Sequence, residues 1–377
     1  MTKKHIAFFL EKLSIGGIER VVLTLAETMI KNFNCNVYII TLNKAQDYDI
    51  NFKVNQVQLP LIKKPKIRLL SNRYFKQLAN SFDQTIAEIE NTNQFKFDLI
   101  LSNKKDCDRI LTYSRYPSDK IYSVLHIALS WQTNLENKSG ISRWLKLHRY
   151  QKIYNHKNLI TVSNGIQKDA INTMKIIPNS IQTIYNPFDF DNIDKLANME
   201  LPIAVNKPYI VYLGRFAEHQ KRIGRLLKAY YLSKIDAKLV LVGKGNKTEE
   251  ANINKWISEH QLDGKVVMAG FYQYPYAILK NANLLVLSSD FEGLPTVIIE
   301  SLICKTPVVS TNCLSGPSEI LTDEMAIGLS DLTAESLAKK IKEIYTNPYP
   351  IDIDRLKEKF SVERVAKQYL SVGHDNA

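Results

Sequence analysis

Two carboxylates, Glu292 and Glu300, bracket an apolar run in the stretch SDFEGLPTVIIESL (289–302). A carboxylate is seldom left unpaired in apolar surroundings, because removing it from water is costly. Gly293 permits a close backbone approach, and Pro295 suits the first turn of a helix, where its missing N–H is no loss. The free N–H groups of the Gly293-Leu294-Pro295-Thr296 segment make a phosphate cradle at the helix start. Carboxylates accept hydrogen bonds from sugar or ribose hydroxyls and do not suit phosphate. The chemistry expected is therefore recognition of one elongated ligand, with hydroxyls at its two ends and phosphates between them.

Cations are available for those phosphates. The segment GRFAEHQKRIGRLLKAY (214–230) opens with a turn at Gly214 and carries Arg215 and Lys221. Arg grips phosphate oxygens bidentately and Lys acts as a point charge, although solvated surface charge is the commonest fate of either residue. Gly243, in the turn GKG, offers a second place where a base or phosphate can approach. Gly16 and Gly17 stand just before a helical stretch, where their amides can meet an anion, or simply form a tight turn.

These residues follow short apolar runs. HIAFFL (5–10), NVYIITL (36–42), FDLILS (97–102), IYSVLH (121–126), NLITVS (158–163) and IQTIY (181–185) read as strands. Amphipathic stretches such as IERVVLTLAETMIK (18–31) lie between them. The pattern restarts with YIVYLG (209–214), KLVLVG (238–243), KVVMAG (265–270), NLLVLS (283–288) and TPVVST (306–311). Continuous apolar strands alternating with helices mean a parallel sheet covered on both faces, so two series predict two doubly wound α/β domains. Their limits are set at 1–187 and 188–351, with a terminal amphipathic segment, 352–377, after them. Ligands of such sheets bind beyond the carboxyl ends of the strands, where the residues above lie.

Composition narrows the class. Lys and Arg number 50 against 38 Asp and Glu, a net charge of +12 that favours an anionic partner. The segments 63–78 and 142–157 mix Lys and Arg with Trp, Tyr, Phe and Leu, as an anionic membrane surface requires or as an ordinary solvated helix face allows. No nucleic-acid motif accompanies the charge. Four scattered cysteines, Cys35, Cys107, Cys304 and Cys313, lack metal-ligand spacing and point to a reducing compartment. The first residues do not make a signal peptide, and no stretch reaches the roughly 18 apolar residues of a membrane span. The expectation is a cytoplasmic protein, at most peripheral on the inner face of the membrane.

The Glu-seven residues-Glu pattern resembles that of family 4 retaining glycosyltransferases, and GGIER, GRFAEHQKRIGRLL, EGLPTVIIES and GPSEIL are similar to that family's motifs in the same order. The resemblance covers nearly the whole chain, most specifically its second half. It implies the GT-B fold, with an acceptor-binding first domain, a donor-binding second domain, and a last helix crossing back to the first. It further implies that Arg215 and Lys221 hold the donor diphosphate as it leaves, that Glu300 binds the nucleotide ribose and Glu292 the transferred sugar. The Gly16–Gly17 loop would close over the donor, with His126 near the sugar. The segment Gly214–Lys221 is one residue longer than the common form, so Arg222 competes with Lys221 for the second phosphate role; Ser301 stands where Ala is usual.

The resemblance thus implies a metal-independent enzyme without cofactor, moving a hexose from a nucleotide-sugar donor, UDP-linked, to a lipopolysaccharide, capsule or lipid-linked glycan acceptor. DFD (189–191) and DID (352–354) imitate a metal-binding Asp-x-Asp motif but fall in the linker and before the last helix, and are read as turn and capping residues. A nucleotide-sugar 2-epimerase of the same architecture and a non-catalytic sugar-nucleotide-binding subunit are the rival readings.

Overall fold

The computed structural model describes residues 3–14, 16–44, 50–63, 65, 71–135 and 137–372. Lys64 and Lys66 of the first basic segment lie outside the described residues. Contacts divide the chain into two units, Met1–Pro187 with Val362–Ala377, and Phe188–Ser361.

The first unit is built on a seven-stranded parallel sheet of order β3-β2-β1-β4-β5-β6-β7. Its strands are β1 His5–Leu10, β2 Asn36–Thr41, β3 Asn55–Gln58, β4 Leu99–Ser102, β5 Ile121–Leu125, β6 Asn158–Thr161 and β7 Ser180–Thr183. Strands β1, β4, β5 and β6 are buried almost throughout, as strands with a helix on each face must be. Their apolar runs are legible for that reason. β3 was not, because its sequence NQVQ is polar and lies exposed at the sheet edge.

The second unit holds a six-stranded parallel sheet, β10-β9-β8-β11-β12-β13, formed by β8 Tyr209–Leu213, β9 Lys238–Val242, β10 Val266–Gly270, β11 Leu284–Leu287, β12 Val308–Thr311 and β13 Leu329–Ser330. The last strand has only two residues and leaves no periodicity to read. In both sheets the strand order reverses once, between β1 and β4 and between β8 and β11. Such a switch point splays the loops at the carboxyl ends apart and opens a crevice for ligand.

The terminal segment is two helices rather than one. Ser361 adopts an extended backbone that stops the helix Ile353–Phe360, and a new helix runs Val362–Ser371. The earlier helix, which the sequence groups with the last segment, lies with the second unit. The later one packs on the helix Gly17–Phe33, where Asn32 Nδ2 donates to Glu363 Oε1 at 3.5 Å and Lys4 Nζ to the Leu370 carbonyl at 2.6 Å. Asp189 and Asp352 each cap a helix, accepting from the amides of Asn192 and Arg355 at 3.0 Å. Asp189 and Asp352 are thus capping residues, as their setting in the sequence suggests, while Asp191 and Asp354 lie in the first turns of the same helices.

Candidate active site

In the second unit the site grows from the ends of β8 and β9. Gly214 and Gly243 sit at φ of 155° and 147°. A Cβ on Gly243 would stand 1.9 Å from the Gly214 carbonyl oxygen. The two turns are thus pressed backbone to backbone, a packing that admits no side chain at Gly243. Phe216 N donates to the Lys244 carbonyl at 2.9 Å, and the Tyr212 hydroxyl donates to the Arg215 carbonyl at 2.7 Å. Burial, with Glu292 adding to it, pushes the Tyr212 hydroxyl pKa well up, so it remains a donor.

After this turn a one-turn helix, Glu218–Lys221, ends at Arg222, which takes a left-handed conformation with φ 50° before the helix Ile223–Ser233 begins. That kink separates two neighbouring cations. Lys221 Nζ lies 2.5 Å from Glu292 Oε1, with side chains only 13% and 8% exposed. The Arg222 side chain turns to Asp290 instead, which also takes Arg225 at 2.7 Å. The two cations thus take different carboxylates, Lys221 standing beside Glu292 and Arg222 beside Asp290. Arg215 is exposed, with one guanidinium nitrogen 3.4 Å from Gln220 Oε1.

Glu292 arrives from the loop after β11. Ser289 Oγ donates to its Oε1 at 2.6 Å, and Ser315 Oγ to its carbonyl at 2.5 Å. Pro295 sits at the cap position, one residue before the helix Thr296–Ile303, with Leu294 buried and Gly293 and Thr296 half-buried. Glu300 is buried inside that helix and accepts from the Tyr276 hydroxyl at 3.4 Å. The loop after β12 closes on the same place, since a Cβ on Gly316 would fall 2.3 Å from Pro295 Cδ. Burial, with Glu292 next in effect, pushes the Cys313 thiol to about 12, so it stays protonated and is no nucleophile.

In the first unit Gly16 caps the helix Gly17–Phe33 with extended backbone. The buried Glu19 folds back over this helix start and pairs with Lys104, from the loop after β4, at 3.0 Å. His126, at the end of β5, has Nε2 3.0 Å from Asn103 Oδ1. Burial, helped by the Lys104 charge, pushes its pKa down to about 3, so it works as a neutral hydrogen-bonding ring.

The predicted residues thus gather in two places, each at the switch point of its own sheet. Arg215, Lys221, Gly214, Gly243, Glu292, the 293–296 segment and Glu300 belong to the second unit; Gly16, Gly17 and His126 belong to the first. Sequence reasoning missed the residues that hold them. Gln220 bridges the two loops of the second site, its Nε2 donating to the Phe291 carbonyl at 3.2 Å and its carbonyl accepting from Asp290 N at 2.9 Å. Ser289, Asp290 and Ser315, and in the first unit Glu19, Asn103 and Lys104, were also missed. The available signal was that Ser289, Asp290, Ser315, Asn103 and Lys104 lie in segments directly following a strand; Gln220, in the short helix Glu218–Lys221, and Glu19 carried no such signal. Among the described residues no group of three or more His, Cys, Asp or Glu is arranged to hold a metal ion.

Two family models cover most of this architecture. Residues 15–192 match Glycosyltransferase Family 4, and residues 196–361 match Glycosyl transferases group 1. The chain belongs to the family 4 type of GT-B glycosyltransferases. It is 28% identical over 330 residues to the N-acetylgalactosamine-N,N'-diacetylbacillosaminyl-diphospho-undecaprenol 4-alpha-N-acetylgalactosaminyltransferase of Campylobacter jejuni, spanning 85% of this chain and 84% of that one. A shorter match, 29% over 171 residues, links it to the lipopolysaccharide 1,6-galactosyltransferase of Escherichia coli, covering 44% of this chain and 46% of the relative. Among solved structures, Anabaena HepE in complex with UDP and glucose superposes with a TM-score of 0.74 over 99% of this chain and 100% of that one. At 18% identity that likeness establishes the fold.

Proposed function

We propose that this glycosyltransferase moves a hexose from a UDP-sugar to a membrane-borne glycan acceptor of lipopolysaccharide, capsule or lipid-linked oligosaccharide synthesis, with retention and without a metal ion or cofactor. The observation that carries the donor assignment is the nearly buried Lys221–Glu292 pair at the switch point between β8 and β11, with Arg215 exposed beside it. A cation suited to phosphate and a carboxylate suited to hydroxyls meet directly, with Ser289 donating to Glu292 and Gln220 tying the adjoining turn to the loop at Asp290 and Phe291. The relatives' names, one acting on a diphospho-undecaprenol glycan and another on lipopolysaccharide, support the acceptor class.

In this reading the diphosphate rests between Arg215, Lys221 and the amides at the start of the helix Thr296–Ile303. Glu300 takes the ribose hydroxyls and Glu292 those of the sugar. Both cations offset the charge that builds as the bond between the anomeric carbon and phosphate oxygen breaks. The acceptor oxygen attacks the same face, and its proton passes to the departing phosphate oxygen, giving the glycoside and the nucleoside diphosphate. A double displacement would need a free carboxylate beneath the anomeric carbon. Glu292 Oε1 is already engaged by Lys221 and Ser289, which favours the front-face route.

The test is proton NMR of the first-formed product, after a panel of nucleotide sugars has been screened for slow hydrolysis. An α linkage with a small anomeric coupling is expected for a gluco- or galacto-configured sugar. A β linkage from an α donor would overturn the mechanism, and release of free epimerised sugar without acceptor would replace the transferase by the epimerase.

A further inference from the structure

The helix Gly140–Tyr154 of the first unit carries a face that the rest of the fold leaves uncovered. Ile141, Trp144 and Leu145 are 78%, 60% and 53% exposed, large values for apolar side chains that adjoin one another at helical spacing. The same face continues through His148, whose ring stacks on Trp144 with 5.4 Å between centroids and 6° between planes, to the exposed Arg149 and Lys152. It is therefore apolar at one end and cationic at the other. From Asn137 to Lys168 the chain contains no Asp or Glu.

The opposite side of the helix is fixed. Tyr150, Ile153 and Tyr154 are buried, and the Tyr154 hydroxyl donates to Asp108 Oδ2 at 2.9 Å. Lys146 Nζ is held at 2.5 Å by the Thr133 carbonyl, and an Arg143 guanidinium nitrogen at 3.3 Å by that of Leu135. These two cations, which the sequence counts with the basic segment, serve to lock the helix. The free basic charge is that of Arg149 and Lys152.

We infer that this face docks the enzyme on an anionic phospholipid bilayer. Trp is at its best where one end of the ring is apolar and the other wet, at headgroup level. Ile141 and Leu145 enter beside it, and Arg149 and Lys152 meet lipid phosphates. Charge complementarity selects the bilayer as the occupant, since a run of cations without a single carboxylate repels other basic surfaces and matches the anionic leaflet. The inference deepens the proposed function by placing the enzyme where a membrane-borne acceptor resides, but vesicle binding is read without turnover.

The experiment is sedimentation of the full-length protein with vesicles of phosphatidylglycerol and phosphatidylcholine at low salt, with Trp144 emission followed in a W131F/W256F background. Wild-type protein should bind the anionic vesicles, with emission shifting to the blue, and should ignore pure phosphatidylcholine. R149Q/K152Q should lower the partition coefficient about 25-fold, since each charge near such a surface is worth about fivefold. I141S/L145S should abolish the blue shift. Both variants should keep the circular dichroism and the donor hydrolysis of the parent. Wild-type protein that fails to bind, variants that bind unchanged, or a Trp144 emission that does not move would overturn the inference. Failure of docking with donor hydrolysis intact would leave the proposed function standing, whereas loss of donor hydrolysis with docking intact would do the reverse.

Discussion

Replacing Lys221 by Ala separates two effects that the structure places in one contact. Lys221 Nζ and Glu292 Oε1 are 2.5 Å apart and the pair is mostly shielded from water. Removing the lysine leaves a nearly buried carboxylate whose remaining side-chain donor in the hydrogen-bond pattern described above is Ser289. Breaking a buried pair from one side costs about 3 kcal/mol or somewhat more. For a unit of this size that corresponds to a drop in melting temperature of roughly 6–12 °C. Independently, loss of one preorganised charge at the leaving group should lower kcat by about 100-fold or more. Combining Lys221→Ala with Glu292→Gln removes the stranded charge, so stability should largely return while turnover stays low. Differential scanning calorimetry and donor-hydrolysis kinetics on the single and double variants read the two effects apart. Near-normal turnover in Lys221→Ala, or recovery of turnover together with stability in the double variant, would refute the assignment of Lys221 to the leaving diphosphate.

Excess chelator should leave most of the activity if, as proposed, cationic side chains and a helix start hold the diphosphate; complete loss restored by manganese or magnesium would show that an ion is required. Gly243→Ala should destabilise the second unit severely, since its Cβ would lie 1.9 Å from the Gly214 carbonyl oxygen, and thermal melts check this directly. His126 has a native pKa near 3, below its unfolded value of about 6.5. The unfolded state then binds the extra proton, so this histidine's contribution to stability is full above about pH 6.5 and declines as pH falls towards 3. The difference in melting temperature between wild type and His126→Asn should therefore be largest and level above about pH 6.5 and shrink as pH falls towards 3, and a difference unchanged by acidification would contradict a buried neutral ring.

Buried chemistry was legible in the sequence where residue type and periodicity agree. Runs such as HIAFFL and KLVLVG declare strands covered on both faces, and Glu292 and Glu300 declare themselves because a carboxylate amid Val and Ile needs a reason. The polar edge strand Asn55–Gln58 and the two-residue strand Leu329–Ser330 carry no such pattern; their hydrogen-bonding partners alone define them. The division of labour between Lys221 and Arg222 was equally hidden. It depends on a left-handed backbone at Arg222, a conformation for which an Arg codes poorly. Ser289, Gln220 and Asp290 are ordinary surface residue types, and only folding brings them against residues up to 71 positions away. The helix Gly140–Tyr154 is the converse case, since its basic and aromatic composition was evident but which cations remain free was not.

The return of the chain to the first unit at Val362 has a consequence for how the molecule is made. Synthesis runs from the N-terminus, and domains tend to fold as units as they emerge. Every residue of the second unit leaves the ribosome before the helix Val362–Ser371 does, and that helix supplies Val365, Ala366 and Tyr369 to the interior of the first unit. The second unit is thus the first that can be completed, and the first unit waits with one side of the helix Gly17–Phe33 bare. A chain arrested at Ser361 should yield a protease-resistant second unit joined to a first unit that is cleaved readily. Completion of the first unit therefore waits on the ten residues of the helix Val362–Ser371, far in sequence from the proposed donor site.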